Sequence, residues 1–347
     1  MILRLSTAGR TAETHIEPSC GGRVEQIRLH PEGCSSPLPI LEPERPESKQ
    51  AESKYTNSEH LDSESPATFR NPESCATEGF NGYILLPFND RIPGGTYRWE
   101  ESELQLPVNA PNGRDAIHGF LYSLPMEHVS FESRVDILSE NVRRAGYTDS
   151  ENYAEAAAEL STGITPEMVP GYPFRLSVRL TYRLRLDQFF LDIEVRNTGS
   201  TTAPLSFGWH PYFRLPETSA IDQYQLQVPS DHYVEVDSML LPTERTPSVE
   251  ESVYDFRTPA ALNSAELDIA IHKTANPLLL SNAMYTLELS SSEAFSYWQL
   301  FTPPGRRSIA VEPITAATDA FNRPSLGLKK LEPGDSYSGS IAVRMLR

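Results

Sequence analysis

The sequence predicts an all-β chain, a large antiparallel β-super-sandwich with one short helix in an insertion. Three observations carry this expectation. Apolar and polar residues alternate with a period of two, most clearly between Phe174 and Val195. Helical periodicity is scarce. The 29 prolines and 19 glycines punctuate the chain at strand-like intervals, as turns between short strands do. At 347 residues the chain can bury a sizeable core. Large sandwiches reach this length as single domains, so one domain over 1–347 is expected.

Taken in order, residues 1–30 read as two strands, Ile2-Leu3-Arg4-Leu5 and the alternating stretch from Gly22 to Leu29. Residues 35–79 are rich in Ser, Glu and Pro and poor in large apolar side chains. Such a segment buries too little surface to offset its ordering entropy, so a long mobile insertion is expected. An apolar strand then runs from Gly82 into the turn Asn89-Asp90-Arg91. Short turn-rich pieces lead to Ile117-His118-Gly119-Phe120, and 127–138 reads as a strand.

The predicted helix lies within 140–170. Ser150 can cap it, Glu151 to Leu160 supplies good helix formers, and Thr162-Gly163 ends it. Next comes an antiparallel hairpin. Leu176, Val178, Leu180, Tyr182 and Leu184 share one face, and the chain returns through Phe190 to Val195 after a turn at Asp187-Gln188. Further strands are expected at 224–228, 232–236, 285–290, 296–302, 308–312 and 338–345.

Charge narrows the partners. Thirty Lys and Arg against 47 Asp and Glu give a net charge of -17. That field repels nucleic acid and anionic membrane surfaces and disfavours strongly anionic substrates without a local basic pocket. No apolar run is long enough to span a bilayer, and the start of the chain lacks a signal-peptide core. Cys20, Cys34 and Cys75 show no metal or redox spacing. A reduced, cytoplasmic setting is expected, with a Cys34–Cys75 bridge left open.

The dinucleotide, phosphate-loop, zinc-helix and nucleophile-elbow motifs are absent. What remains is a set of single polar residues at strand ends: Arg91, His118, His210, Asp268 and Glu312. His210 sits among Trp209, Tyr212 and Phe213. Aromatic faces beside an imidazole suit a polar, ring-shaped ligand. Each residue also has a plain alternative. His210 could be a core histidine, His118 a turn histidine, Arg91 a surface cation and Asp268 a surface turn residue. Glu312 could pair with Arg306 or Arg307.

Three segments in order resemble the aldose 1-epimerase (galactose mutarotase) family. They are Phe88-Asn89-Asp90-Arg91-Ile92-Pro93-Gly94-Gly95 with Asn109 and Ile117-His118-Gly119-Phe120, then Gly208-Trp209-His210-Pro211-Tyr212-Phe213, then Ser308 to Pro313 with Asp319-Ala320-Phe321-Asn322. The resemblance implies a super-sandwich with an open cleft for a free neutral hexose and anomer interconversion without a cofactor. The expected partner is a small-molecule monosaccharide, and the expected state a monomer or homodimer. By position, His210 matches the general acid that protonates O5, and Glu312 the base that takes the O1 proton. Arg91 and His118 match sugar-binding positions. Asp268 falls where a carboxylate grips ring hydroxyls, with Asp255 competing for that role. Trp209 and Tyr212 are expected as cleft walls, Tyr212 against the substrate. The family usually has Asn directly before the arginine, where this chain has Asp90.

An acid and a base on opposite edges of the ring suit this reaction. A histidine with a pKa of about 6.5 could cycle without large tuning, and partial burial would lift a glutamate from about 4.3 toward working pH. Three further readings stay open. A non-catalytic sugar-binding module would bind without rate enhancement. A hexose-6-phosphate 1-epimerase would carry an Arg and Lys cluster at the cleft mouth. A metal enzyme would use His118, His210, Asp268 and Glu312 as ligands.

Overall fold

A computed structural model describes residues 2–7, 12–42, 80–134, 155–243 and 245–347. Two large sheets dominate. The first has nine strands in the spatial order Glu127–Arg134, Glu155–Ile164, Leu176–Leu184, Gln188–Asn197, Ser336–Leu346, Thr286–Ser291, Leu278–Ser281, Gln225–Gln227 and Ala260–Ala261. The second runs Asp268–His272, Tyr297–Phe301, Ile309–Ile314, Gly208–His210 and Tyr83–Leu85, with Tyr212–Phe213 also paired to Ile309–Ile314. A four-stranded sheet, Leu3–Ser6, Glu13–Glu17, Arg23–Leu29 and Leu38–Pro39, adds to the N-terminal side. The fold is the all-β sandwich that the alternation predicts.

The nine-stranded sheet shows how the pattern builds the core. On Leu176–Leu184 the odd partners Ser177 and Arg179 are exposed while Leu176, Val178, Leu180, Tyr182 and Leu184 are buried. Its neighbour Gln188–Asn197 buries Phe189, Leu191, Ile193 and Val195 in register, with Leu180 opposite Ile193. These side chains meet Trp209, Trp298, Leu300 and Val311 of the second sheet in one contiguous cluster. Each fully buried Leu or Val contributes about 1.5–3 kcal/mol relative to exposure.

Four expectations are corrected. Glu155–Ile164 is a strand rather than a helix. Ala156, Ala158, Leu160 and Ile164 alternate into the core, and the segment pairs from Ala156 opposite Leu184 to Ile164 opposite Leu176. Period-2 burial and a neighbour on each side override a weak helix propensity. The proposed cap at Ser150 lies outside the described residues. Secondly, the N-terminal stretch holds three strands where two were expected, because Glu13–Glu17 pairs with both others. Thirdly, residues 35–42 belong to the fold, with Leu38–Pro39 in a sheet and Ile40 and Leu41 buried; the rest of the expected insertion, 43–79, lies outside the described residues. Lastly, 232–236 forms no strand and is joined by isolated bridges, His232 to Ser248, Tyr233 to Ile271 and Val236 to Pro242.

Cys34 has a free thiol and Cys20 is disulfide-bonded. The Cys34–Cys75 pairing therefore does not form, and cysteine usage no longer argues for a reduced compartment. No helix among the described residues is long and apolar enough to cross a membrane.

Candidate active site

The six-stranded sheet presents one face to the core and the other to a cleft. Strand Gly208–His210 shows the division. Trp209 turns inward, fully buried, with its ring 5.7 Å from Phe189 and 6.0 Å from Phe213. His210, one residue on, faces the other way and lines the cleft. The expected role of Trp209 as a cleft wall is thus corrected; alternation places it in the core. Next door, Ile309 and Val311 join the core while Glu312 lines the cleft. Gly208 sits opposite Ile314, where an added Cβ would meet the Ile314 side chain at 2.7 Å. Glycine permits this close approach, and the approach brings His210 Nε2 to 3.3 Å from Glu312 Oε1. The two residues are 5% and 3% exposed.

The same face supplies Gln299, in register with Glu312, and Asp268, in register with Phe301. Gln299 Nε2 donates to Asp268 Oδ1 at 2.8 Å. Tyr212 stacks on His210, with ring centroids 5.0 Å apart and planes 19° from parallel. Its backbone is fixed from behind. Its N–H donates to Asn81 Oδ1, and its carbonyl accepts from the Glu42 N–H.

Loops close the opposite side. Asp90 and His118 both hold left-handed φ, 57° and 61°, and the His118 N–H donates to the Asp90 carbonyl at 2.9 Å. Such conformations persist only where surrounding structure fixes them, and they cluster at functional sites. The fixing is visible here. Arg91–Ile92 pairs with Ala116–Ile117, and Asn109 brackets Ile117 by accepting its N–H and donating to its carbonyl. Gly119 follows with φ 67°, against the Leu86 carbonyl, where a Cβ would collide. Arg91 Nη1 pairs with Asp115 Oδ2 at 2.8 Å, and the Gly94 N–H secures the other Asp115 oxygen at 3.0 Å.

These elements enclose a cleft of about 600 Å³. All six residues singled out from the sequence line it: Arg91, His118, His210, Tyr212, Asp268 and Glu312. Asp255 does not; it is held by Arg257 at 2.9 and 2.8 Å. Arg306 binds Asp222, and Arg307 binds Glu42 at 3.2 Å, so neither neutralises Glu312. Asp90, noted in the sequence as an anion beside Arg91, also lines the cleft, as do Gln299 and Thr318, whose part in it sequence reasoning missed. A single polar residue in the otherwise apolar strand Tyr297–Phe301 was the available signal for Gln299. Arg91 and Arg114 are the lining cations, and no lysine lines the cleft among the described residues. Among the described residues, no Arg and Lys cluster of the kind expected of a phosphosugar enzyme lines the cleft.

Burial dominates the electrostatics. It lifts the Glu312 carboxyl well above the usual range, with the charges of Asp90 and Asp268 adding to the shift. It raises Asp268 to about 6, Asp90 adding while Arg91 and Gln299 oppose. Asp90 is raised for the same reason, against a hydrogen bond from Thr318 and the charge of Arg91. Burial pushes His210 down to about 3 and His118 well below 6.5, the latter helped by His210 and Arg91. The expectation that His210 cycles near 6.5 is corrected, because desolvation holds its imidazole neutral. Both shifts favour the uncharged forms, a neutral imidazole beside a protonated carboxyl in the free cleft. Such a pair can give a proton at one point and take one at another.

A sequence profile of the aldose 1-epimerase family matches residues 54–344. An uncharacterized protein of Escherichia coli, YihR, is 28% identical over 262 residues, 74% of this chain and 76% of that one. Mouse galactose mutarotase is 29% identical over 167 residues. That match takes in 46% of this chain and 45% of the mouse protein, under half its length. Among solved structures, an aldose epimerase homologue from C. elegans superposes with TM-score 0.72 at 16% identity, covering 99% of this chain and 98% of that one. Galactose 1-epimerase from Lactobacillus acidophilus gives 0.67 at 16% identity, covering 96% and 91%. The structural likenesses speak to the fold, while the profile match spans most of the sequence: the chain belongs to the aldose 1-epimerase family.

Proposed function

We propose that the protein is a cofactor-independent aldose 1-epimerase that interconverts the α and β anomers of a free, unphosphorylated hexose. The observation that carries this reading is the buried contact of His210 with Glu312 at 3.3 Å. Ring opening removes a proton from the O1 hydroxyl and delivers one to O5. A pair holding one proton does both with no net change. A sugar hydroxyl donating to Glu312 favours its carboxylate form, which moves the shared proton to His210. His210 then protonates O5 while Glu312 takes the O1 proton, and the C1–O5 bond breaks. Rotation about C1–C2 followed by the reverse transfers closes the other anomer.

The remaining lining residues bind. Asp268, oriented by Gln299, accepts from ring hydroxyls. Arg91, braced by Asp115, and His118 donate to them. Tyr212 covers an apolar ring face. Adding the protein to fresh α-D-glucose or α-D-galactose should bring optical rotation to equilibrium faster than buffer does. Rates equal to buffer with these and other common aldoses would overturn the proposal.

A further inference from the structure

We infer that the cleft extends into a second sugar-binding subsite, so that the protein acts on the reducing residue of a disaccharide whose non-reducing residue, joined through O3 or O4, rests on Val234, Val236, Met239 and Leu240. This rests on the epimerase reading above and concerns how far the same cleft reaches. Strand register lays out the cleft floor. Glu312 pairs with Gln299, Gln299 with Ala270, and the Val234 N–H donates to the Ala270 carbonyl at 2.9 Å. These four residues form one row across the sheet, and all of them line the cleft. Adjacent strands lie about 4.8 Å apart, so the row runs about 14 Å from Glu312 to Val234. A hexose is shorter. Its O1 and O4 are linked through five bonds of about 1.5 Å, which keeps them less than about 7 Å apart. The bond that breaks is C1–O5, and C3 and C4 stand across the ring from it. With His210 at O5 and Glu312 at O1, the O3 and O4 hydroxyls face Gln299 and Asp268, and the row continues past them.

What lies past them is a shaped apolar wall. Val234 and Val236 lead into a tight turn fixed by Asp237. One Asp237 carboxylate oxygen accepts from the Met239 and Leu241 N–H groups at 2.8 and 3.0 Å. The Asp237 carbonyl accepts from the Leu240 N–H at 3.0 Å, and its own N–H donates to the Leu241 carbonyl at 2.9 Å. Leu240 is thereby held at φ 60°, a conformation that a bulky side chain adopts only under such bracing. The turn brings Leu240 and the 56% exposed Met239 into the cleft lining. Ser238, Asn112 and Arg114 add polar groups to it. An aliphatic surface with a few donors and acceptors suits a second pyranose, which has apolar C–H faces and a hydroxylated rim. Space allows it too. The twelve non-hydrogen atoms of a hexose each take up less than the roughly 30 Å³ of a liquid water, which leaves much of the 600 Å³ cleft open.

Polarimetry on freshly dissolved laminaribiose, maltose, cellobiose and lactose, set against D-glucose, tests this. All present the same reducing glucose residue, so a difference reports the second ring. Laminaribiose is joined through O3 and the others through O4. The expected result is a KM at least about tenfold lower for one of the disaccharides than for D-glucose, a gain for which about 60 Å² of apolar surface removed from water suffices. Met239→Ala, at an exposed position, should shrink that ratio toward one. Leu240→Gly, which also relieves the left-handed φ, offers a second variant with the same readout. Disaccharides with a KM no lower than that of D-glucose, or a ratio unmoved in both variants, would overturn the inference while leaving the epimerase reading standing. Failure of every sugar to react faster than buffer would overturn both.

Discussion

His210 Nε2 lies 3.3 Å from Glu312 Oε1, on neighbouring strands of one sheet, with both residues almost wholly removed from solvent. A charge on either alone would be costly at this depth. Together they can hold one proton, and the side that holds it can change when a hydroxyl approaches. On the proposed epimerase reading, the sheet supplies an acid and a base as a unit.

If they act as such a unit, removing either should cost nearly as much as removing both. His210→Ala and Glu312→Gln should each lower kcat by about 10²–10⁴, the usual contribution of positioned proton transfer. KM should change far less. The double variant should be no more than slightly worse than the single ones. Steady-state polarimetry checks this, and multiplicative losses in the double variant would show that the residues work independently.

Asp115 should affect binding without touching sugar. It holds Arg91 Nη1 and is itself tied to the Gly94 N–H and to Asn112. Asp115→Ala frees a long cationic side chain whose ordering the sugar must then complete. We expect KM to rise by roughly tenfold, as loss of one charge-assisted contact implies, with a smaller fall in kcat. Unchanged KM would mean that Arg91 needs no brace.

Asp268 links the cleft to stability. Its pKa is raised from 3.8 to about 6, chiefly by burial. The folded state thus binds a proton more tightly than the unfolded one, so stability is lost as pH rises through about 6. The size is about 1–3 kcal/mol, from two pKa units less some solvent relief. Asp268→Asn keeps an oxygen for Gln299 and escapes this loss. Relative to wild type, its stability in urea should therefore rise by that amount between pH 4 and pH 7. A constant difference across that range would contradict the assignment.

The parts of the fold that could be read from sequence are those in which local pattern and tertiary demand agree. Leu176–Leu184 and Gln188–Asn197 alternate cleanly because one face is core and the other largely solvent. Glu155–Ile164 misled because alanine and glutamate favour helices, while the small buried residues Ala156 and Ala158 gave a faint period-2 signal. Asp268–His272 and Leu278–Ser281 were missed as strands, being short and bounded by turn residues. Within the site, His210 and Glu312 were legible from the motifs around them. Asp90 stood out only as a departure beside Arg91, and Gln299 was not legible, since its significance arises from strand register that no single segment encodes.

Gly208 tests whether close packing of the sheet sets the spacing of the pair. An added Cβ would stand 2.7 Å from Ile314 Cγ2 and 3.0 Å from the Pro313 carbonyl oxygen. Both neighbours are well buried or held in the sheet, so neither yields easily. Gly208→Ala should cost about 1–3 kcal/mol, the range for overpacking a filled core. It should also push Gly208–His210 away from Ile309–Ile314 and lengthen the His210–Glu312 contact. A 1 Å misplacement of reacting groups can cost about 10²-fold in rate. We therefore expect kcat to fall in the folded variant, at temperatures well below its melting point, by more than the stability loss explains. A destabilised variant with unchanged kcat would show that the pair tolerates movement of its strands.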